Sequence, residues 1–140
     1  DAEKYGAQWA DKSDSRITKI GRILRKLRID ELPQLLLVLS GEMSLIGPRP
    51  ERPKIDILLR EHIPNYDLRY SIKPGISGWA QVNYPYGASI EDSKLKLSYD
   101  IYYIKNFSIL LDFMIYFKTL KLILNGKGSI PNKKIKNRVY

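Results

Sequence analysis

The sequence predicts a mainly α-helical domain with a small β-hairpin, an α+β fold. Apolar residues recur at helical spacing in three stretches, residues 16–27, 31–39 and 89–124. Only the short runs on either side of Pro74-Gly75 have the character of paired strands. At 140 residues the chain is long enough to bury a core without disulfides, which the absence of cysteine excludes.

The first two helices are predicted from periodicity and from helix-end signals. Residues 16–27 have apolar side chains on one face and basic side chains on another. Asp30 suits the N-cap of a second helix over residues 31–39, because its carboxylate can accept from free backbone N–H groups. Pro33 is tolerated in the first turn, and Ser40-Gly41 is a stop signal.

The middle of the sequence predicts a loop, a short helix and the hairpin. Three prolines in "GPRPERP" favour a rigid, extended loop. Residues 54–62 have a brief helical pattern. The Pro74-Gly75 turn is then expected to join the two strands of the hairpin.

Residues 89–124 predict two helices that are broken near Asn106. The second is apolar on nearly all sides, apart from one polar stripe. That stripe consists of Ser108, Asp112, Tyr116 and Thr119. We expect this helix to pack into the core with the stripe towards the functional site, although such a helix could also lie at a membrane interface. Residues 127–140 form a basic tail, which we expect to be disordered or to be held by an acidic surface.

The charge of the chain favours phosphate-bearing partners. The 24 basic residues exceed the 15 acidic residues, which gives a net charge of +9. Nucleic acid, nucleotides and an anionic membrane all remain open on this ground. The chain contains no uncharged apolar run of the length that a spanning helix needs, and its first residues do not have the pattern of a signal peptide.

The adjacent acids Asp30 and Glu31 are the first candidates for chemistry. A carboxylate at a helix N-terminus is stabilised as the anion, and the same field attracts an incoming phosphoryl group. Asp30 could therefore act as a nucleophile, and Glu31 could help to hold Mg²⁺. The alternative is that Asp30 only caps the helix and Glu31 is a surface residue.

Arginines and two further carboxylates complete the set of candidates. Arg25 precedes the acid pair, and Arg49 is fixed between two prolines, so both could bind phosphate oxygens or simply be solvated. Asp100 and Asp112 lie in apolar helical stretches and need partners, most simply an arginine in a structural ion pair. His62, the only histidine, is interpreted as a surface residue.

The motifs "RKLRIDELPQLLLVLSGEMSLIGPRPERP", "IKPGISGWAQVNYPYG" and "KLSYDIYYIKNFSILLD" resemble those of the bacterial sugar transferases, the polyprenyl-phosphate hexose-1-phosphate transferases. The resemblance covers about residues 1–126, which we interpret as a catalytic domain truncated at its N-terminus relative to the family. No P-loop, dinucleotide-binding or serine-hydrolase motif competes with it.

The resemblance implies a monotopic membrane enzyme on the cytoplasmic face of the bacterial inner membrane, anchored by upstream segments that this chain lacks. Such enzymes transfer a sugar-1-phosphate from a UDP-sugar to undecaprenyl phosphate and release UMP, the first step of exopolysaccharide, capsule or O-antigen synthesis. By resemblance, Asp30 is the nucleophile, Glu31 its Mg²⁺-associated partner, and Arg25 and Arg49 bind phosphate. Asp100 and Asp112 match supporting positions of the family.

The residues after "WAQV", from Asn83 to Gly87, resemble those of the larger hexose-transferring members and favour glucose or galactose as the sugar.

Two other classes of function remain as alternatives. A nucleic-acid-binding module would explain the charge and the ten tyrosines, but no recognised binding motif is present, and we expect no nucleic-acid partner. A membrane-surface domain that has lost its activity is disfavoured by the intact Asp30-Glu31 pair.

Overall fold

A computed structural model describes residues 18–26, 29–84, 87 and 89–125. The described residues form two strands, β1 (Ser44–Ile46) and β2 (Gly75–Ser77), two 3₁₀ helices (Ile29–Glu31 and Tyr66–Ser71) and six α-helices. The α-helices are α1 (Lys19–Lys26), α2 (Gln34–Leu39), α3 (Pro53–His62), α4 (Trp79–Asn83), α5 (Ile90–Lys105) and α6 (Ile109–Leu124). The prediction of a mainly helical fold with a small β component is confirmed.

The β component is a parallel pair, so the predicted hairpin is wrong. β1 pairs with β2 in the register Ser44 to Gly75 and Ile46 to Ser77. The chain before Pro74 forms the second 3₁₀ helix instead of a strand, which leaves β2 to pair with a distant segment. Parallel strands need a long crossover, and α3 and this 3₁₀ helix supply it.

Asp30 does not cap α2, contrary to the sequence prediction. It lies within the first 3₁₀ helix, and the N-cap position of α2 is Pro33, which makes no side-chain capping hydrogen bond. Pro33 has no N–H, so an α-helical ladder cannot run unbroken from Ile29 into α2. The N–H of Leu32 donates to the Ile29 carbonyl in the tighter 3₁₀ pattern, and the α-helix begins after the proline.

The predicted end of α2 is confirmed. Ser40 is the C-cap residue, and Gly41 has a positive φ of 79°, a conformation that favours glycine. The N–H groups of Glu42 and Met43 both donate to the Leu37 carbonyl. This tight turn ends the helix and leads the chain directly into β1.

The main apolar core lies between α3, the second 3₁₀ helix and α5. The helical prediction for residues 54–62 is confirmed by α3, which begins one residue earlier with Pro53 at its first position. The buried members of this core are Ile55, Leu59, Ile63, Tyr66 and Leu97. Apolar side chains from three segments are therefore removed from water together.

The two predicted C-terminal helices are confirmed, with their break at residues 106–108. Ser89 and Ser108 act as N-caps, and their side chains accept from the backbone N–H groups of Asp92 and Leu111. The expected burial of α6 is wrong, because Ile115 is its only fully buried side chain within the described structure. The other described elements cover only one side of α6, and most of its large apolar residues stay exposed.

The prediction of a disordered basic tail concerns residues 127–140, which lie outside the described residues. The first seventeen residues also lie outside them. No helix within the described ranges is both long and apolar enough to cross a bilayer.

Candidate active site

Glu31 and Arg49 form the centre of the candidate site. The first 3₁₀ helix exposes Asp30 and partly buries its neighbour Glu31. The Arg49 guanidinium donates from Nη2 to Glu31 Oε1 at 2.8 Å and from Nη1 to the Ile76 carbonyl at 3.2 Å. One fork thereby joins the acidic turn to β2, and it fixes the arginine next to the acid pair.

The loop that carries Arg49 is fixed to β2 through the Pro48 carbonyl. Pro48 and Pro50 have no N–H, so the segment can donate few backbone hydrogen bonds of its own. The N–H of Gly75 donates to the Pro48 carbonyl at 2.9 Å. A Cβ atom on Gly75 would lie 2.1 Å from the backbone nitrogen of Gly47, so only glycine permits this close approach.

A buried ion pair, Arg69 with Asp100, contacts the same loop. Arg69 is 7% exposed and Asp100 is 2% exposed, and Arg69 Nη2 lies 3.1 Å from Asp100 Oδ2. The same Nη2 donates to the Arg49 carbonyl at 2.6 Å, and Nη1 donates to the Tyr66 hydroxyl. The expected ion pair between Asp100 and an arginine is confirmed, and its partner is Arg69.

The environment of Asp100 shifts its protonation equilibrium. Burial raises the pKa of this carboxyl group to about 6, against the opposing effect of the nearby Arg69 charge. Burial also lowers the pKa of the neighbouring Lys96. Desolvation of the charged forms thus exceeds the effect of pairing at Asp100.

A cleft of about 150 Å³ opens beside Glu31. Its walls come from the first 3₁₀ helix, α2, β2 and α6, and they are mostly apolar. They consist of Glu31, Leu32, Leu35, Ile76, Ser77, Thr119 and Ile123. The hydroxyl groups of two of these lining residues, Ser77 of β2 and Thr119 of α6, lie 2.6 Å apart. A carboxylate thus lies at the edge of a mainly apolar recess.

Asp112 does not pair with an arginine among the described residues, in contrast to the prediction. Its Oδ1 accepts from the Tyr103 hydroxyl at 2.6 Å, which joins α5 to α6. Burial and the adjacent carboxylate raise the pKa of Tyr103, so its hydroxyl stays protonated and remains a donor. The polar stripe was predicted to face the functional site, and Thr119 does line the cleft beside Glu31. Asp112 instead contacts Tyr103, and Ser108 and Tyr116 are exposed.

Comparison with known proteins identifies the family. A sequence model of the bacterial sugar transferases matches residues 1–126. The chain belongs to the bacterial sugar transferase family.

Several curated relatives in this family carry functional names. The chain is 54% identical over 129 residues to the UDP-N-acetylgalactosamine-undecaprenyl-phosphate N-acetylgalactosaminephosphotransferase of Aeromonas hydrophila, covering 91% of this chain and 30% of the relative. It is 45% identical to the undecaprenyl-phosphate glucose phosphotransferase of Komagataeibacter xylinus, covering 82% and 23%. It is 41% identical to the UDP-glucose:undecaprenyl-phosphate glucose-1-phosphate transferase of Escherichia coli, covering 79% and 24%. The chain therefore spans less than a third of the length of these three relatives.

The structure brings together some of the residues that the family resemblance singled out. Asp30, Glu31 and Arg49 lie around one turn, and Asp100 reaches the Arg49 backbone through Arg69. Arg25 lies within α1, but its side chain is outside the described structure. Its predicted role in binding phosphate stays a prediction.

Asp30 and Glu31 are adjacent carboxylates, and Mg²⁺ in proteins commonly takes one or two carboxylates together with substrate phosphates. No cluster of three or more potential metal ligands occurs within the described part of the chain. A closed, all-protein cage is therefore not the arrangement that these residues offer. Asp30 and Glu31 could hold the ion only together with a phosphate-bearing substrate.

Arg69 is the residue that sequence reasoning missed. Its local sequence, "DLRYS", has no motif that separates it from the other arginines. The available signal was indirect. A carboxylate in an apolar helix requires a cation, but the sequence does not show which arginine pairs with Asp100. Choosing Arg69 among 24 basic residues required the fold.

Proposed function

We propose that the chain is the catalytic part of an enzyme that transfers a sugar-1-phosphate from a UDP-sugar to undecaprenyl phosphate. UMP is released, and a covalent aspartyl phosphosugar on Asp30 is the intermediate. The observation that carries the proposal is the Arg49 fork, which is fixed against Glu31. Glu31 lies at the edge of an apolar cleft and directly follows the exposed Asp30 in the chain. The names of the relatives support the reaction class.

The first step forms a bond between an Asp30 carboxylate oxygen and the phosphorus that carries the sugar. The bond from that phosphorus to the UMP oxygen breaks, and UMP leaves with the electron pair. In the second step a phosphate oxygen of undecaprenyl phosphate attacks the same phosphorus, and the Asp30 carboxylate is the leaving group. Asp30 is thus restored, and the product is a lipid diphosphate that carries the sugar.

Arg49 stabilises the negative charge on the phosphate oxygens during both steps. Its guanidinium is planar and fixed at both the Glu31 and the Ile76 contact, so little reorganisation is needed when the substrate arrives. When bound by Asp30 and Glu31 with the substrate phosphates, Mg²⁺ would supply further neutralisation of charge. We retain Mg²⁺ as the proposed cofactor.

The acceptor is a lipid, so the proposal places the enzyme at a membrane surface, on the cytoplasmic side. A location at the membrane is supported by the large apolar side chains that α2 and α6 leave exposed, here called the α2/α6 apolar surface. These are Leu35, Leu36, Leu37 and Leu39 of α2, and Ile109, Leu110, Phe113, Met114, Phe117, Leu120 and Leu124 of α6. A net charge of +9 adds attraction to anionic lipid.

The identity of the sugar stays a prediction. The sequence favours glucose or galactose, whereas the names of the relatives include both glucose and N-acetylgalactosamine. The product would initiate a polysaccharide such as an exopolysaccharide, capsule or O-antigen.

Intact-protein mass spectrometry tests the proposal. The protein is incubated with Mg²⁺ and, separately, with UDP-glucose, UDP-galactose, UDP-N-acetylglucosamine or UDP-N-acetylgalactosamine. We expect a sugar-phosphate adduct with one donor, release of UMP, and loss of the adduct in Asp30→Asn. Asp56→Asn is a matched control, because Asp56 pairs with Arg60 on α3 and has no role in the proposed step.

Two results would contradict the proposal. The absence of both adduct and UMP with every donor, in detergent and with undecaprenyl phosphate present, would overturn the reaction class. An adduct that persists in Asp30→Asn would overturn the assignment of the nucleophile.

A further inference from the structure

Arg69 connects a buried carboxylate with the backbone of the residue proposed to bind phosphate. Its Nη2 atom lies 3.1 Å from Asp100 Oδ2 and donates to the Arg49 carbonyl at 2.6 Å. Its Nη1 atom donates to the Tyr66 hydroxyl, and its guanidinium carbon lies 5.0 Å from the centroid of the Tyr66 ring. Three elements of the fold thus meet on one planar group.

The Arg49 carbonyl is one of few groups through which its loop can be held. Pro48 and Pro50 on either side lack the N–H that would otherwise anchor the segment. The Pro48 carbonyl accepts from Gly75, and the Arg49 carbonyl accepts from Arg69. The position of the Arg49 side chain relative to Glu31 therefore depends on the rigidity of this second anchor.

A lysine could not replace Arg69 in this arrangement. Arginine presents several N–H donors in a fixed plane, whereas lysine presents one ammonium group at the end of a flexible chain. A lysine could keep the charge beside Asp100, but it could not also reach the Tyr66 hydroxyl and the Arg49 carbonyl in the same geometry. The substitution Arg69→Lys therefore separates the effect of the positive charge from the effect of the hydrogen-bond geometry.

We propose that Arg69, held by Asp100, is a positioning residue that fixes the loop of Arg49 so that the Arg49 guanidinium points at Glu31 and the substrate phosphates. This inference rests on the proposed function. It predicts that Arg69 acts on transfer through Arg49, and not only through the stability of the fold. Small displacements of such a group reduce rates strongly, up to about a hundredfold per ångström.

A double-mutant cycle on the full chain, purified in detergent, tests the proposal. The kcat/KM for UMP release is measured for wild type, Arg69→Lys, Arg49→Ala and the double variant, with melting temperatures for all four. Arg69→Lys is expected to lower kcat/KM about tenfold or more in the wild type, and less than about threefold when Arg49 is alanine. A residue with a merely structural role would give the same loss in both backgrounds.

Two further variants complete the experiment, one as a control and one as a replacement for Arg69→Lys. Arg60→Lys is the matched control, because Arg60 also pairs with carboxylates, Asp56 and Asp67, but lies outside the proposed site. It is expected to change kcat/KM less than twofold. If Arg69→Lys does not fold, Asp100→Asn takes its place in the cycle and is expected to show the same dependence on Arg49.

Each outcome has a distinct meaning. Losses that multiply in the double variant overturn the positioning role and leave the proposed function intact. A wild-type chain that releases no UMP with any donor overturns the proposed function, and this inference with it. A loss confined to the background that retains Arg49 supports the proposal.

Discussion

Two apolar regions of this chain have similar composition and opposite surroundings. In the core between α3 and α5, Leu59 is 0% exposed and packs with residues from three segments. On α2, Leu36 is 68% exposed although it belongs to a helix made almost entirely of leucine and valine. Apolar character therefore establishes the tendency of a side chain to leave water, whereas the fold decides which apolar surface has a partner within the chain.

The largest effect on stability is expected from the truncation of a core leucine, and the same truncation on the exposed face of α2 is its control. Leu59→Ala should lower the free energy of unfolding by about 3–5 kcal/mol, because it removes buried methyl groups and leaves a cavity. Leu36→Ala should lower it by less than about 1 kcal/mol, since most of that side chain is already in water. Urea denaturation of both variants in detergent measures the contrast. Equal losses would show that Leu36 is as well packed as the core.

The second prediction concerns pH and the buried Asp100. Its pKa is raised in the folded state to about 6, so the folded chain binds this proton more tightly than the unfolded chain does. Its contribution to stability is therefore fully present below about pH 4 and is lost as the pH rises through 6, on the order of 2–3 kcal/mol.

Comparison with Asp100→Asn isolates this carboxylate from the other acidic groups. The free energy of unfolding is measured by urea denaturation from pH 4 to pH 7. We expect the wild type to lose stability relative to the variant across this range. Parallel curves for the two proteins would contradict the raised pKa.

The third prediction concerns the α2/α6 apolar surface. Leu110 is 80% exposed on α6, and Leu110→Ser should weaken binding to anionic lipid vesicles roughly tenfold, because burial of a leucine side chain contributes about 1.5–2 kcal/mol. The melting temperature should change little. Vesicle co-sedimentation measures the binding.

The exposed Ile57 of α3 supplies the control for this experiment. Ile57→Ser removes an apolar side chain of comparable size from outside the α2/α6 apolar surface and should leave binding unchanged. An equal loss for both variants would mean that lipid binding is not confined to that surface.

The smallest expected effect concerns the hydrogen bond that joins α5 to α6. Tyr103→Phe removes the hydrogen bond to Asp112 and should lower the free energy of unfolding by about 1 kcal/mol. Tyr102→Phe, on the half-exposed neighbour, should change it by less than about 0.5 kcal/mol. Thermal denaturation distinguishes the two, and an unchanged stability in Tyr103→Phe would show that this bond contributes nothing net.

The local features of this protein could be predicted from its sequence. Helical periodicity predicted α3, α5 and α6, the Ser40-Gly41 signal predicted the end of α2, and the motifs predicted the family. These features depend on residues that are close in the chain, so their physical causes can be read directly from spacing. The same reasoning placed Asp30 and Glu31 at the start of α2, but it could not foresee that Pro33 would divide a 3₁₀ helix from the α-helix.

The long-range contacts became visible only in the folded structure. The parallel pairing of β1 with β2 joins residues about thirty positions apart, and Arg69 meets Asp100 across a similar separation. Such contacts depend on which distant surfaces become adjacent when the core forms, and any strand or any arginine could satisfy the local pattern. The burial of α3 and the exposure of α6 have the same cause, because burial belongs to the packing of the whole chain and not to the apolar sequence of one helix.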